Sequence, residues 1–151
     1  MNKIEELKYN EFIKENKNKF NNEQLFQIEK GVNSGIDYSI YSRPEFTYGQ
    51  MREIRLGLEK GLDVSIYSNP KFNLFEMDKI CKGLEHGIDV SWYAKSEFTW
   101  DQMDIIRRGL IRNLDISIYA KPEFNEEQMS EIRRGLERNI NVSIYAKPEF
   151  N

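Results

Sequence analysis

A 26-residue repeat, free of insertions and deletions, runs through most of this 151-residue chain. Phenylalanine recurs at this spacing, at Phe20, Phe46, Phe72, Phe98, Phe124 and Phe150. Glycine does the same, at Gly31, Gly57, Gly83, Gly109 and Gly135. Five full repeats result, at 20–45, 46–71, 72–97, 98–123 and 124–149, and residues 1–19 precede them. Because so short a segment cannot bury its own apolar face, the repeat predicts neighbours that stack into an array.

Each repeat carries the start and stop signals of one helix. In the second repeat Thr47 and Gln50 have the spacing of a capping box, and Phe46 and Met51 have that of a hydrophobic staple. The equivalent pairs are Asn21/Gln24, Asn73/Glu76, Thr99/Gln102 and Asn125/Gln128. The stop position holds only residues that tolerate the left-handed conformation: Gly35, Gly61, Gly87, Asn113 and Asn139. These signals predict a helix of about 13 residues in every repeat.

The rest of each repeat predicts a short second helical turn. Ser143 is a candidate cap for this turn in the last repeat, and Pro148 prevents the turn from continuing. The glycine inside each long helix costs about 1 kcal/mol relative to alanine, so we expect the next helix to pack closely there. The predicted fold is all-α. It is a right-handed α-solenoid of five repeats over 20–151 in one continuous domain, with residues 1–19 as an N-terminal capping helix. Phe150 either closes the last layer or begins a further repeat.

Composition and charge narrow the functional classes. The net charge is −3, which argues against binding duplex DNA through bulk positive charge. One cysteine and one histidine exclude internal disulfides and the usual zinc motifs, so we expect no metal and no cofactor. The sequence has no stretch of 18 apolar residues and no apolar N-terminal leader, which predicts a cytoplasmic protein that does not bind a membrane.

The repeat motif resembles tandem repeats in poorly characterised proteins of Firmicutes and their phages or mobile elements. The resemblance rests on Tyr-Ala-Lys-Pro-Glu-Phe-Asn at 119–125, Gln-Met at 128–129 and Glu-Ile-Arg-Arg-Gly-Leu-Glu at 131–137, and it extends over 20–151. It implies a helical fold, a bacterial host cell and no catalytic residue. Small phage proteins of this kind are often inhibitors of host defence complexes, including those of the CRISPR type.

Candidate catalytic residues are better explained as structural. Asp37, Asp63, Asp89 and Asp115 share one position, and an enzyme would need one special pair rather than a copy in most repeats. His86 stands near a helix C-terminus, where a cation is favoured, and Cys81 flanks the apolar stripe as a small filler. We therefore predict a binding protein rather than an enzyme, with no catalytic residues.

Apolar residues at positions that should face water indicate a partner site. The position after the helix cap is Asn22 and Glu126 in the outer repeats, but it is Tyr48, Leu74 and Trp100 in the middle ones. Phe75 and Ile105 add to this set, and together these residues are expected to form one contiguous patch. The alternative is that they pack on residues 1–19 or on one another. The patch predicts another protein as partner, a bacterial defence effector being one candidate.

Basic residues form a second candidate surface. A helical wheel places two rows on the outer face: Lys30, Leu56, Lys82, Arg108 and Arg134, and then Ser34, Lys60, His86, Arg112 and Arg138. Lys82, Arg108 and Arg112 could orient an acidic partner beside the apolar patch. The alternative function is a nucleic-acid or nucleotide binder that uses these rows. A third interpretation is ordinary helix design, because acidic residues come early and basic ones late in each helix.

Overall fold

The computed structural model describes residues 2–143 and 145–149, and within them it contains helices and turns but no strand. The long helices are α1 (Lys3–Asn16), α2 (Asn22–Asn33), α3 (Tyr48–Glu59), α4 (Leu74–Glu85), α5 (Trp100–Ile111) and α6 (Glu126–Glu137). Short 3₁₀ turns lie at Lys17–Lys19, Tyr38–Ile40, Val64–Ile66, Val90–Trp92 and Ile116–Ile118. The all-α prediction is confirmed. Phe150, which recurs with the repeat, lies outside the described residues.

The chain divides into two compact halves, an N-terminal half at 1–77 and a C-terminal half at 78–151. The boundary falls inside α4 and not in a linker. In the N-terminal half α2 packs against α3, and in the C-terminal half α5 packs against α6. Consecutive repeats therefore provide each other's packing surface within each half.

The predicted helix starts are confirmed. Thr47 Oγ1 accepts a hydrogen bond from the Gln50 N–H at 3.2 Å, and Gln50 Oε1 accepts one from the Thr47 N–H at 2.9 Å. The same reciprocal pairs form at Asn21/Gln24, Asn73/Glu76, Thr99/Gln102 and Asn125/Gln128. Each of α2 to α6 is 12 residues long, one fewer than predicted.

The helix stops also agree with the prediction. Asn113 and Asn139 both have φ near 55°, and Gly35, Gly61 and Gly87 have φ between 67° and 70°. This left-handed conformation strains most side chains, which explains why only glycine and asparagine occupy the position.

Each capping glutamine has a second role that the capping box does not reveal. Gln50 Nε2 donates to the carbonyl of Phe72, the first residue of the next repeat, at 2.7 Å. Gln24 and Gln102 make the same bond to Phe46 and Phe124. Glutamine can do this because its amide has both an acceptor, used in the cap, and a donor, used between repeats. Buried bonds of this kind fix how one repeat sits on the next.

The helix glycines make room for a tyrosine, not for the next helix as predicted. Tyr41 lies ten residues after Gly31 in the same repeat, and its hydroxyl donates to the carbonyl of Gln27 at 2.8 Å. A Cβ on Gly31 would stand 1.8 Å from that hydroxyl oxygen. The same arrangement recurs at Gly57/Tyr67, Gly83/Tyr93, Gly109/Tyr119 and Gly135/Tyr145. The short turn of each repeat is thereby fastened to its own helix.

The short turn is capped by aspartate, whereas Ser143 and its counterparts were predicted to be the caps. Asp89 accepts hydrogen bonds from the Ser91 N–H at 3.1 Å and from the Ser91 hydroxyl at 2.6 Å. Asp37, Asp63 and Asp115 cap their turns in the same way, and Asn141 bonds Ser143 likewise. The recurring aspartates are thus structural, as the sequence indicated.

The N-terminal helix α1 covers the first repeat with aromatic side chains. The ring of Phe12 lies 5.5 Å from Tyr38 and 6.1 Å from Phe20, and Tyr9 contacts Tyr38 edge-on at 6.3 Å. These distances are typical of favourable aromatic pairs. Helix α1 therefore contacts the first repeat through an aromatic cluster.

Candidate partner-binding surfaces

An exposed apolar cluster lies in the N-terminal half, at the first turns of α3 and α4. Tyr48 is 50% exposed, Leu74 38% and Phe75 56%. Leu74 lies against the backbone of Gly49, because a Cβ on that glycine would stand 2.9 Å from Leu74 Cδ2. Leu74 thus fills the space beside Tyr48, and Phe75 follows it on α4. Leu74 therefore contacts the first turn of α3, where Tyr48 lies, and a shared partner-binding surface of the three residues stays a prediction.

Trp100 is the corresponding residue of the C-terminal half. It begins α5 and is 40% exposed, and the Lys79 ammonium lies 5.8 Å from the centre of its ring. A cation at that distance is attracted by the π-face of an indole. Ile105 is half-buried, so less of its side chain is exposed than its predicted outward position implies. Its backbone carbonyl accepts a hydrogen bond from the Tyr119 hydroxyl. Because Tyr48, Leu74 and Phe75 belong to the other half, the contiguous patch stays a prediction.

The three predicted cations all lie in the C-terminal half, and each has a carboxylate partner. Lys82 Nζ lies 2.8 Å from Asp78, Arg108 Nε lies 2.9 Å from Asp104, and Arg112 Nη1 lies 3.4 Å from Glu137. The Arg108 and Arg112 side chains are exposed, whereas Asp104 and Glu137 are largely buried. Because a guanidinium has five N–H donors, each arginine can contact a ligand while it keeps its carboxylate partner.

Asp104 is the centre of a small cationic cluster. Besides Arg108, it contacts Arg107 at 2.7 Å and Lys79 at 3.4 Å. Burial by itself would raise the pKa of the Asp104 carboxyl, but the Arg107 hydrogen bond and the surrounding positive charges outweigh it and hold this pKa below its usual value. Asp104 is therefore ionised and structural, and it is not a general acid.

Five arginines converge on an open groove of about 620 Å³ between the C-terminal ends of α5 and α6. The lining residues are Arg108, Ile111, Arg112, Arg133, Arg134, Glu137 and Arg138. The helical wheel found four of these arginines but missed Arg133, whose position flanks the apolar stripe. The Arg133 side chain is 14% exposed and one of its amino groups bonds Glu137. The groove therefore joins both predicted rows over two repeats.

The remaining reactive side chains have structural surroundings. Hydrogen bonds from the Ser91 side chain and backbone lower the pKa of Asp89. His86 Nδ1 lies 2.7 Å from the carbonyl of Lys82 at the end of α4, and Cys81 is buried. Within 2–143 and 145–149, no group of three or more histidine, cysteine, aspartate or glutamate side chains is arranged to hold a metal ion.

Two further observations complete the description of these surfaces. None of the helices in the described part of the chain is both long and apolar enough to span a membrane. No protein-family model, curated protein or solved structure matches the chain.

Proposed function

We propose that this chain is a non-enzymatic helical-repeat protein that binds another protein through the apolar surface at the first turns of its middle helices. The exposure of Tyr48, Leu74 and Phe75 on adjacent helix starts is the observation that supports this proposal. The fold does not require apolar residues there. Asn22 and Glu126 occupy the position of Tyr48 and Leu74 in the first and last repeats, and Glu23 and Glu127 occupy that of Phe75. Exposed aromatic residues in a cluster are the usual anchors of protein interfaces.

The proposal includes a continuous stack of all five repeats. Five repeats of identical length would form a right-handed α-solenoid over 20–151, which would bring Trp100 into line with Tyr48 and Leu74 on one side. The regular helix starts and the Gln-to-carbonyl bonds between repeats support this arrangement.

Small-angle X-ray scattering tests the stack. A compact globule of this length has a radius of gyration of about 15 Å. A stack of six layers, the five repeats and α1, with each layer adding about 8–10 Å, is about 50–60 Å long and has one of about 16–19 Å. We expect the larger value and a single particle shape independent of concentration. A radius of gyration near that of the globule would contradict the solenoid.

The resemblance of the repeats to those of phage and mobile-element proteins suggests the kind of partner. We propose that the partner is a component of a bacterial defence complex and that the protein inhibits it in the cytoplasm of the host. Binding nucleic acid through the basic rows is the second candidate, which the net charge of −3 disfavours.

Paired substitutions test the apolar surface. The full chain with Tyr48→Asn and Trp100→Asn is compared with the wild type in affinity capture from the native host, followed by mass spectrometry. Each aromatic anchor contributes about 2 kcal/mol, so the double variant should bind the captured partner about a thousandfold more weakly. Asparagine is the residue that the first repeat itself has at this position, so the fold should be retained.

The matched control is Asn22→Ala with Glu126→Ala, which changes the same position in the outer repeats. This variant should capture the partner as the wild type does, and all variants should share one helical circular-dichroism signal and melting temperature. Unchanged capture by the aromatic variant would overturn the proposal. Loss of binding on charge reversal at Arg108 and Arg112 alone would favour nucleic acid.

A further inference from the structure

The groove between the ends of α5 and α6 has an unusual concentration of positive charge. Five arginines and Glu137 line about 620 Å³ of open space, and Asp104 and Glu131 pair with Arg108 and Arg134 beside it, which leaves two excess positive charges. Helix C-termini carry a partial negative charge of about half a unit each, which offsets about half of this excess. The volume falls within the range of small-molecule sites.

The guanidinium groups of the groove are accessible. The side chains of Arg108, Arg112 and Arg134 are 56–63% exposed. They pair with Asp104, Glu137 and Glu131, of which only Glu131 is exposed. Among the described residues no carboxylate lies within 4 Å of the Arg138 guanidinium. The inner wall is formed by Arg133, whose buried Nε has no hydrogen-bond acceptor among the described residues. The groove thus presents planar forks of N–H donors to whatever enters it.

Charge is segregated along this pair of helices. Asp101 and Glu126 meet at the opposite, N-terminal ends of the two helices. The hydrogen bond between them and the negative charge of Asp101 raise the pKa of Glu126. An anion is therefore repelled from one end of the helix pair and attracted to the other.

We propose that the arginine groove binds a condensed phosphate, a chain of two or more phosphoryl groups either free or at the end of a nucleotide. Five guanidinium groups around one small groove are matched best by a ligand that brings several negatively charged oxygens into the same space. Condensed phosphates do this, and arginine forks bind phosphate oxygens in pairs. Carboxylates of an acidic peptide are spread over separate flexible side chains. This proposal is independent of the protein interface above.

The chain contains its own control for this site. At the same repeat positions, 78 residues earlier, the N-terminal half has Lys30, Asn33, Ser34, Arg55, Leu56, Glu59 and Lys60. The surrounding frame is alike, because Glu59 there accepts from Ser34 at 2.8 Å and from Arg55 at 2.6 Å, as Glu137 contacts Arg112 and Arg133. Lysines replace Arg108 and Arg138 there, and the positive charge is missing only at the positions of Ser34 and Leu56.

Isothermal titration calorimetry of the full chain with tripolyphosphate at about 50 mM salt tests the proposal, since phosphate contacts are strongest at low salt. We expect one site. Arg112→Ser with Arg134→Leu, which installs the residues of the N-terminal half, should raise the dissociation constant about tenfold per arginine. The reverse exchange, Ser34→Arg with Leu56→Arg, should create a second site and double the stoichiometry. Circular dichroism and melting temperature establish that both variants are folded.

Titrations with other ligands separate a phosphate chain from a macromolecular ligand. ATP that binds more tightly than tripolyphosphate identifies a nucleotide as the source of the phosphate chain. ATP that binds no more tightly identifies the free chain, and both results support the proposal. An unchanged dissociation constant in Arg112→Ser/Arg134→Leu would overturn it. So would tighter binding of a single-stranded oligonucleotide or of polyglutamate than of tripolyphosphate, because the groove would then serve a macromolecule.

Discussion

Replacing Gly31 by alanine should destabilise the protein by about 3 kcal/mol, although alanine is the better helix former by about 1 kcal/mol. The new Cβ would stand 1.8 Å from the Tyr41 hydroxyl oxygen and 3.0 Å from the ring carbon that bears it. The ring cannot withdraw cheaply, because Tyr41 is fully buried and its hydroxyl donates to the carbonyl of Gln27 at 2.8 Å. Chemical denaturation followed by circular dichroism measures the loss.

A double-mutant cycle identifies the cause. Tyr41→Phe removes the clashing oxygen and one hydrogen bond, so by itself it should cost about 1 kcal/mol. Combined with Gly31→Ala it should restore about 2 kcal/mol relative to the sum of the two single losses, because the oxygen 1.8 Å from the new Cβ is gone and only the ring carbon at 3.0 Å remains close. Gly49→Ala is the matched glycine control. Its Cβ would meet only the flexible Leu74 side chain, so its effect should stay within about 1 kcal/mol. Strict additivity of Gly31→Ala and Tyr41→Phe would refute the steric explanation.

The glycine and tyrosine positions show where sequence reasoning reached its limit. Gly57 and Tyr67 recur in register, so the sequence revealed that both matter, but recurrence does not state which partner fills the space beside a glycine. A neighbouring helix was the simpler expectation. The hydroxyl bond from Tyr67 to the carbonyl of Glu53 depends on the path of the short turn, which periodicity does not describe.

Local signals were predicted well because their chemistry is complete within a few residues. The Thr47 and Gln50 capping box and the positive φ of Asn113 follow from residue type and spacing alone. The second hydrogen bond of Gln50 connects residues 22 apart, so no local pattern predicts it. In the third repeat Glu76 keeps the cap, although a carboxylate has no N–H to donate.

The exposure of the candidate residues was predicted in part for the same reason. Periodicity identifies the outward positions, which is why Tyr48, Phe75 and Trp100 are exposed as expected. It cannot resolve positions at the edge of the buried stripe. Ile105 proved half-buried, and Arg133 proved to belong to the groove although its position borders the core.

The buried tyrosines predict a steep loss of stability in alkali. Tyr41, Tyr93 and Tyr119 are fully buried, and burial raises the pKa of each phenol well above its usual value near 10. Nearby Arg55, Arg107 and Arg133 offset this effect only partly. These three phenols thus keep protons in the folded protein that they release from the unfolded chain above pH 10.

The sign follows from this difference in bound protons. Below pH 10 both states are protonated, so the stabilising contribution is fully present; above it the unfolded state loses protons first and unfolding becomes more favourable. Each tyrosine adds a slope of about 1.4 kcal/mol per pH unit, so three give about 4 kcal/mol per unit above pH 10. Denaturation midpoints measured from pH 8 to 11.5, together with tyrosinate absorbance, check this dependence. Tyr41→Phe should lower the slope by a third. Ionisation of the three phenols while the helical signal persists would show that their protons do not depend on the fold.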